Sequence, residues 1–320
     1  MINAGIVGCG NIAWKWDYPK GKYFNTHAKS YYKNPDSNLT CCCDPDMKKA
    51  EGLAKTYNVK SFYKDYKEML SRESLDVVSV CSPAVTHYEI LAHILKHTGI
   101  KYILAEKPLT LNAGQTKRIV SLAKKKNVYI SVNYLRRWDE TTKKLREYIA
   151  SNNFGQFQLG TIVYYSGFKE NGAHFIDLLN FLGLKLYFDS VLSVSRIKGN
   201  KHDFGASLAF KTQDKKPLYF YWVDKENYRC LEVNLFYKKA RVRIGDYSEV
   251  DIFQLKKAKA YPDIKKLALK RHLPSTICSS MRNSVKDIVK RCKENKVSYE
   301  ALEREQEFME LISYIDKKVS

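Results

Sequence analysis

The chain has 320 residues, 44% of them hydrophobic, and a formal net charge of +21. That length exceeds what one hydrophobic core serves, so two domains are expected, and the apolar share excludes a disordered chain. No apolar run reaches the roughly 18 residues that span a bilayer, and MINAGIVGCG has no basic stretch before its apolar run and no cleavage site, so the expected compartment is the cytoplasm.

In chain order, residues 1–135 alternate strand and helix. Apolar runs at residues 2–7, 38–43, 76–81, 102–105 and 128–132 end in turn residues and read as buried parallel strands. Helical patterns at 47–57, 66–70, 87–96 and 113–125 lie between them. This is the pattern of a doubly wound parallel sheet, a Rossmann-type α/β domain. Beyond Arg137 a helix at 139–151 leads to the turn Asn153-Phe154-Gly155 and a strand at 156–165, then a helix at 172–182. Strands at 190–197, 205–211, 218–223, 230–237, 240–244 and 249–255 follow in succession, which predicts a second, α+β domain over 136–320 with a large, mostly antiparallel sheet. Residues 256–274 are lysine-rich and poorly patterned; helices at 284–293 and 299–317 close the chain, the last placed to pack back on the first domain.

The first strand runs directly into Gly8-Cys9-Gly10-Asn11-Ile12-Ala13. In such a loop the first glycine makes the tight turn, the second lets the backbone approach a pyrophosphate, and the small third residue lets helix pack on strand. The pyrophosphate then sits at a helix N-terminus. Asp44 ends the second strand, where an acid binds the adenosine ribose and disfavours the extra phosphate of NADP; Lys48 and Lys49 temper that preference. Capping of the helix after Pro45 is the other reading of Asp44. The gap from loop to acid exceeds the usual ~20 residues. The excess is residues 14–24, WKWDYPKGKYF, whose Pro19 and Gly21 break helices, so the helix is expected to stop and resume near Thr26-His27. A flap beside the ligands and a plain surface loop are both open for this excursion.

Eight cysteines, three of them consecutive at Cys41–Cys43, show no zinc-ligand spacing, so reduced thiols packing as small hydrophobes are expected and no metal. The positive charge admits nucleic acid, an anionic membrane or anionic small molecules as partners. No zinc finger, RNP-like motif or helix-turn-helix is present, so nucleic acid is not expected. A solvated lysine-rich surface or an anionic substrate such as a nucleotide sugar remains.

Glu106-Lys107-Pro108 lies just past the fourth strand, on the carboxyl edge where open α/β sheets bind ligands. Together with Gly8, Gly10 and Ala13, Ser82-Pro83 and His87, it resembles the Gfo/Idh/MocA oxidoreductases, relatives of glucose–fructose oxidoreductase and inositol dehydrogenase. The likeness extends through Arg136-Arg137 to the closing helix. It implies NAD, with NADP the alternative, held by Gly8, Gly10, Asn11, Ile12, Ala13 and Asp44. Ser82, Pro83 and His87 would lie along the cofactor, Glu106 near the nicotinamide ribose, and Lys107 would be the catalytic lysine. The family's second domain carries an acid, a histidine four residues on, and a second acid three further. Here Glu170-Asn171-Gly172-Ala173-His174-Phe175-Ile176-Asp177 matches at His174 and Asp177, with glutamate at the usual aspartate position. The Asn-Gly-Ala-His form is similar to members associated with surface-polysaccharide sugars.

His174 suits general acid–base work near neutrality, and Asp177, one helical turn on, shares its face. Arg136, Arg137, Glu170 and Asn171 are candidate substrate contacts, the arginines alternatively serving the domain junction. Tyr164 and Tyr165 read as interior strand positions. The expected activity is oxidation or reduction of a secondary hydroxyl or keto group of a sugar or nucleotide sugar. The alternative is a catalytically silent NAD-binding sensor, since a galactose-pathway repressor shares the fold. The family's large sheet implies a homodimer or homotetramer.

Overall fold

The structure is a computed structural model describing residues 1–17, 19–197, 200–224, 230–245, 247–258 and 263–319. It divides into two compact units, Met1–Leu135 with Cys278–Glu310 and Arg136–Ile277 with Leu311–Ser320.

In the first unit β1 (Ile2–Val7), β2 (Ser37–Cys43), β3 (Ser61–Tyr63), β4 (Val77–Val80), β5 (Tyr102–Ala105) and β6 (Tyr129–Val132) form one sheet. It is six-stranded, ordered β3-β2-β1-β4-β5-β6 and parallel throughout. The order reverses beside β1, and in such sheets the ligand crevice opens at the carboxyl ends of the strands flanking that reversal. Every residue of β4, β5 and β6 is buried, which is why these strands read as unbroken apolar runs. The helices α1 (His27–Tyr32), α2 (Met47–Tyr57), α3 (Tyr66–Arg72), α4 (Ala84–His97) and α5 (Ala113–Lys126) alternate with them. Asp46, Asp65 and Asn112 cap α2, α3 and α5 through their side chains.

Two elements here differ from the sequence expectation. β3 was not expected: three residues on the sheet edge, with Phe62 exposed, carry no periodicity. The segment after the phosphate loop is a single π turn, Asn11–Lys15, and helix resumes only at α1. The break was expected; the brevity of the first piece was not, and it leaves little aligned dipole behind the loop. Tyr18, within the predicted excursion, lies outside the described residues.

Residues 278–310 belong to the first unit, although the sequence boundary assigned everything after 135 to the second. The reason is apolar burial. Val285, Ile288 and Val289 of α8 (Ser280–Lys293) are in the same core as Ala4, Ile6 and Leu104. The buried Glu305 on α9 (Glu300–Val319) lies 3.4 Å from the Leu109 backbone N–H that donates to it. Cys41, Cys42 and Cys43 are all unbridged thiols buried in β2. Burial pushes the Cys41 thiol up to about 12, so it packs as a protonated hydrophobe.

In the second unit α6 (Glu140–Ala150) and α7 (Ala173–Phe181) accompany a sheet of β7 (Phe157–Tyr165), β8 (Leu186–Ile197), β9 (Asn200–Thr212), β10 (Pro217–Val223), β11 (Glu232–Tyr237), β12 (Ala240–Ile244), β13 (Val250–Lys257) and β14 (Lys265–Leu273). The order is β14-β13-β12-β11-β7-β10-β9-β8, antiparallel except for β7 with β10. β14 corrects the reading of 256–274 as unpatterned. It is an edge strand exposed at most positions, so neither face had to be apolar. Residues 259–262 of that stretch lie outside the described residues.

No described helix is long and apolar enough to cross a membrane.

Candidate functional site

The carboxyl ends of β1, β2, β4, β5 and β6 gather most of the predicted cofactor residues. Gly8 has φ +91°, and a Cβ there would stand 2.6 Å from the Ser82 backbone nitrogen. Only glycine lets the loop after β1 lie this close to the loop after β4. At Gly10 a Cβ would meet nothing within 4 Å. The second glycine therefore leaves open space beside the backbone, as a close-approaching pyrophosphate requires. Ala13 is fully buried, Ile12 half-buried and Asn11 exposed. The Trp14 indole N–H donates to the Cys9 carbonyl at 3.0 Å, closing the turn.

Asp44 is tied into this loop. One carboxylate oxygen accepts from the Cys9 N–H at 2.8 Å and the other from the Asp46 N–H at 2.9 Å. The capping of α2 left open for Asp44 falls instead to Asp46, which accepts from Lys48 N–H.

Ser82 and Pro83 follow β4, and Ser82 is half-buried with its hydroxyl oxygen 2.8 Å from the Thr86 hydroxyl. His87, expected to lie along the cofactor, bridges the loops that follow β4 and β5. It is 1% exposed, with Nδ1 2.8 Å from the Pro108 carbonyl oxygen and Nε2 2.8 Å from that of Ser82. It joins the two loops from beneath, and its ring nitrogens are engaged there.

Glu106 follows β5, and its backbone N–H continues the ladder to Val80 O at 2.9 Å. Its Oε1 accepts from His27 Nε2 at 2.9 Å and from Asn133 Nδ2 at 2.7 Å. Its other carboxylate oxygen has no hydrogen-bond partner among the described residues, on a side chain 13% exposed. Burial alone would raise the Glu106 pKa, but bonds from His27 and Asn133 and the nearby Lys107 charge overcome it and hold the carboxyl below its usual range. Lys107 is half-buried and precedes a cis bond to Pro108. Asn133, just past β6, is buried, and its Oδ1 has no hydrogen-bond partner among the described residues.

The sequence reading missed His27, Asn133 and the residues behind His27. His27 Nδ1 lies 3.0 Å from Ser79 Oγ, which lies 3.0 Å from the Tyr31 hydroxyl. His27, Ser79 and Tyr31 are all fully buried. One signal was present: Ser79 is the polar residue of an otherwise apolar, wholly buried strand.

The second unit positions the other candidates. His174 is the second residue of α7 and half-buried. Before it, Phe168–Gly172 forms a π turn folded around Asp203 of β9, whose carboxylate accepts from the backbone N–H groups of Lys169 and Glu170 at 2.9 Å each. Burial pushes the Asp203 carboxyl up, against these bonds. A Cβ on Gly172 would stand 2.4 Å from the Phe168 ring. Glu170 is exposed and accepts from the Ser166 hydroxyl at 2.8 Å; the Asn171 amide donates to Tyr165 O at 3.0 Å. The Trp222 indole donates to Ser166 O at 2.7 Å, so the turn is braced on both sides. Asp203 and Trp222 were not legible, being dozens of residues away in sequence.

Asp177 is engaged by Arg137. The guanidinium Nε donates to both carboxylate oxygens at 2.8 and 3.0 Å, and Nη2 donates to Oδ1 at 2.6 Å. Both side chains are largely buried. Arg136 lies over the Phe175 ring at 5.2 Å. The arginine pair thus meets α7 through the Asp177 ion pair and through the rings of Phe175 and Phe181. Tyr164 is buried with its hydroxyl donating to Ala206 O at 2.6 Å, as expected of an interior position. Among the described residues no group of three or more His, Cys, Asp or Glu could hold a metal ion.

Residues 2–134 match the model of the Gfo/Idh/MocA oxidoreductase family, NAD-binding Rossmann fold. D-glucoside 3-dehydrogenase of Escherichia coli is 29% identical over 160 residues, 50% of this chain and 42% of that protein. Myo-inositol 2-dehydrogenase of Thermotoga maritima is 28% identical over 48% of this chain and 42% of its own length. dTDP-3,4-didehydro-2,6-dideoxy-alpha-D-glucose 3-reductase of Saccharopolyspora spinosa is 28% identical over 51% and 45%. The matched part thus spans less than half the length of these relatives. A 3-ketoreductase from Actinomadura kijaniata, solved with NADP, superposes with a TM-score of 0.80 at 16% identity, covering 99% of this chain and 97% of that one. At that identity the likeness concerns the fold. A Rossmann-type unit with a second unit built on a mostly antiparallel sheet is what the chain folds into.

Proposed function

We propose, from the match of residues 2–134 to the Gfo/Idh/MocA oxidoreductase model, that the chain is an NAD-dependent oxidoreductase acting on a secondary hydroxyl or keto group of a sugar or nucleotide sugar. The observation that carries this reading is at the end of β5: a largely buried carboxylate at Glu106, with one oxygen held by His27 and Asn133 and the other without a hydrogen-bond partner among the described residues, followed directly by Lys107. The sugar and inositol substrates in the names of the relatives matching the first half of the chain support it. The net charge of +21 and the Asn-Gly-Ala-His form favour an anionic nucleotide sugar, of the kind used for surface polysaccharides.

Gly8 to Ala13, Asp44 and Ser82 would hold the dinucleotide, which fits the open space at Gly10 and the unpaired Asn133 Oδ1. When bound, NAD supplies the redox partner for the sugar carbon. Asp44 disfavours a 2′-phosphate by like charge, so NAD is the preferred form. The Lys107 ammonium donates to the substrate oxygen and stabilises the alkoxide that develops when a hydroxyl is oxidised. His174 accepts the hydroxyl proton in oxidation and returns it in reduction. Asp177, paired with Arg137, fixes the α7 turn that carries His174. Arg136, Glu170 and Asn171 are the substrate-contact candidates.

A panel of nucleotide sugars and free sugars, followed by NADH absorbance with NAD and NADP in parallel, tests this. Turnover on at least one sugar, faster with NAD, is expected. NADH binding without turnover on any sugar would overturn it in favour of a silent sensor.

A further inference from the structure

Glu106 needs an explanation that its sequence neighbourhood does not supply. A carboxylate this buried is costly unless donors surround it. The groups facing it are His27 from α1, Asn133 beyond β6, the adjacent Lys107 and the Cys81 thiol after β4. Two donors, His27 Nε2 and the Asn133 amide, reach one of its oxygens, Oε1. The other oxygen is left without a partner among the described residues.

The polarity of the array follows from donor and acceptor chemistry. A carboxylate only accepts, so the His27 nitrogen facing it, Nε2, carries the proton. When the ring carries its proton on Nε2 alone, Nδ1 accepts and the Ser79 hydroxyl, 3.0 Å away, donates to it. With its proton committed, Ser79 Oγ accepts from the Tyr31 hydroxyl. Burial pushes the Tyr31 phenol up, so it remains a donor. Three fully buried groups therefore point their donors in one direction, ending on Glu106. α1 is held in place to deliver His27 by Asp17, whose Oδ2 accepts from Asn25 N–H, and from Thr26 N–H at 2.8 Å.

We propose that His27 is a positioning residue of the cofactor site: backed by Ser79 and Tyr31, it holds Glu106 through Oε1 and leaves the other carboxylate oxygen to accept a ribose hydroxyl of the bound dinucleotide. This rests on the dinucleotide reading above but not on the sugar chemistry. It gives the residues that end the WKWDYPKGKYF excursion a function within the site, because the resumed helix carries His27.

The test is NADH affinity, read by fluorescence titration between pH 5 and 9, on the wild type and on His27→Phe, His27→Gln and Ser79→Ala. Loss of a hydrogen bond to a buried charge corresponds to roughly 10-fold or more in affinity. His27→Phe should weaken NADH about that much and move the acid limb of binding to higher pH. His27→Gln keeps a donor in reach of Glu106 and should stay within about threefold of wild type. Ser79→Ala, the smallest change, should fall between them and guards against misfolding of His27→Phe. A folded His27→Phe and a Ser79→Ala with wild-type affinity and pH dependence would overturn the proposal. A second reading needs no cofactor: 15N NMR of the free protein should find His27 protonated at Nε2, and an unprotonated Nε2 would also overturn it. Wild type that binds NADH but oxidises no sugar defeats the proposed activity and leaves this inference standing; wild type that fails to bind NADH defeats both.

Discussion

At the scale of single residues, the site works by fixing protonation and direction. Lys107 is expected to act on the reacting oxygen, so Lys107→Ala should lower kcat about 100-fold or more while NADH affinity changes little; equal losses in both would make it a binding residue instead. Glu106 gives a pH dependence with a definite sign. Its folded-state pKa lies below the ordinary value of 4.5, so its ionised form contributes stability that is fully present above that value. The contribution is lost as pH falls through the lower folded value. Urea midpoints of wild type should therefore drop more steeply between about pH 5 and pH 3 than those of Glu106→Gln, and parallel curves would contradict this. The sequence exposed Glu106 and Lys107 through strand position and a family-like tripeptide. It could not expose His27 as their partner, because 79 residues separate it from Glu106 and no spacing rule spans that distance. Asp177 makes the same point: the folded chain engages it bidentately with Arg137, 40 residues away, a partner that helical spacing could not show.

At the scale of elements, legibility tracked burial. Strands covered on both faces, such as β4 and β5, were visible because burial made every residue but Ser79 apolar. β3 and β14 were invisible because edge strands answer to water as much as to a core. The β13–β14 pair carries a cost of that freedom: Lys256 stands opposite Lys266, and Lys257 opposite Lys265. Like charges directly opposite each other destabilise a strand pair. Lys266→Glu should accordingly raise the thermal midpoint at low salt, and the gain should shrink in 1 M salt as the charges are screened. α1 depends on a different device. Asp17 is buried and accepts from the backbone N–H groups of Asn25 and Thr26 and from the Thr26 hydroxyl. Asp17→Ala leaves those donors unpaired and should cost about 1–3 kcal/mol. Because α1 carries His27, NADH affinity should fall together with stability; a loss of stability alone would detach the excursion from the site.

At the scale of the whole chain, the nucleotide-binding unit is discontinuous. The family match ends at residue 134, and strand–helix alternation read from the sequence ends there too. Yet the core containing Ala4 and Ile6 is completed by Val285, Ile288 and Val289, from a helix that begins only at Ser280. A parallel sheet needs both faces covered, and residues 1–135 do not supply all the cover. The apolar face of α8 was readable as a helix but not as belonging to the first unit, since nothing in its own pattern says which core it fills. Two measurements follow from the arrangement. Ile288→Ala, a fully buried truncation, should destabilise the protein by about 2–5 kcal/mol. A chain ending at residue 277 should lose NADH binding even though Gly8, Asp44, Glu106 and Lys107 all remain, because Met281 beside Asn133, the α8 core residues and Glu305 beneath Leu109 are gone. Retention of wild-type NADH affinity by that shortened chain would mean that residues 1–135 fold and bind on their own, and that α8 covers a sheet already stable without it.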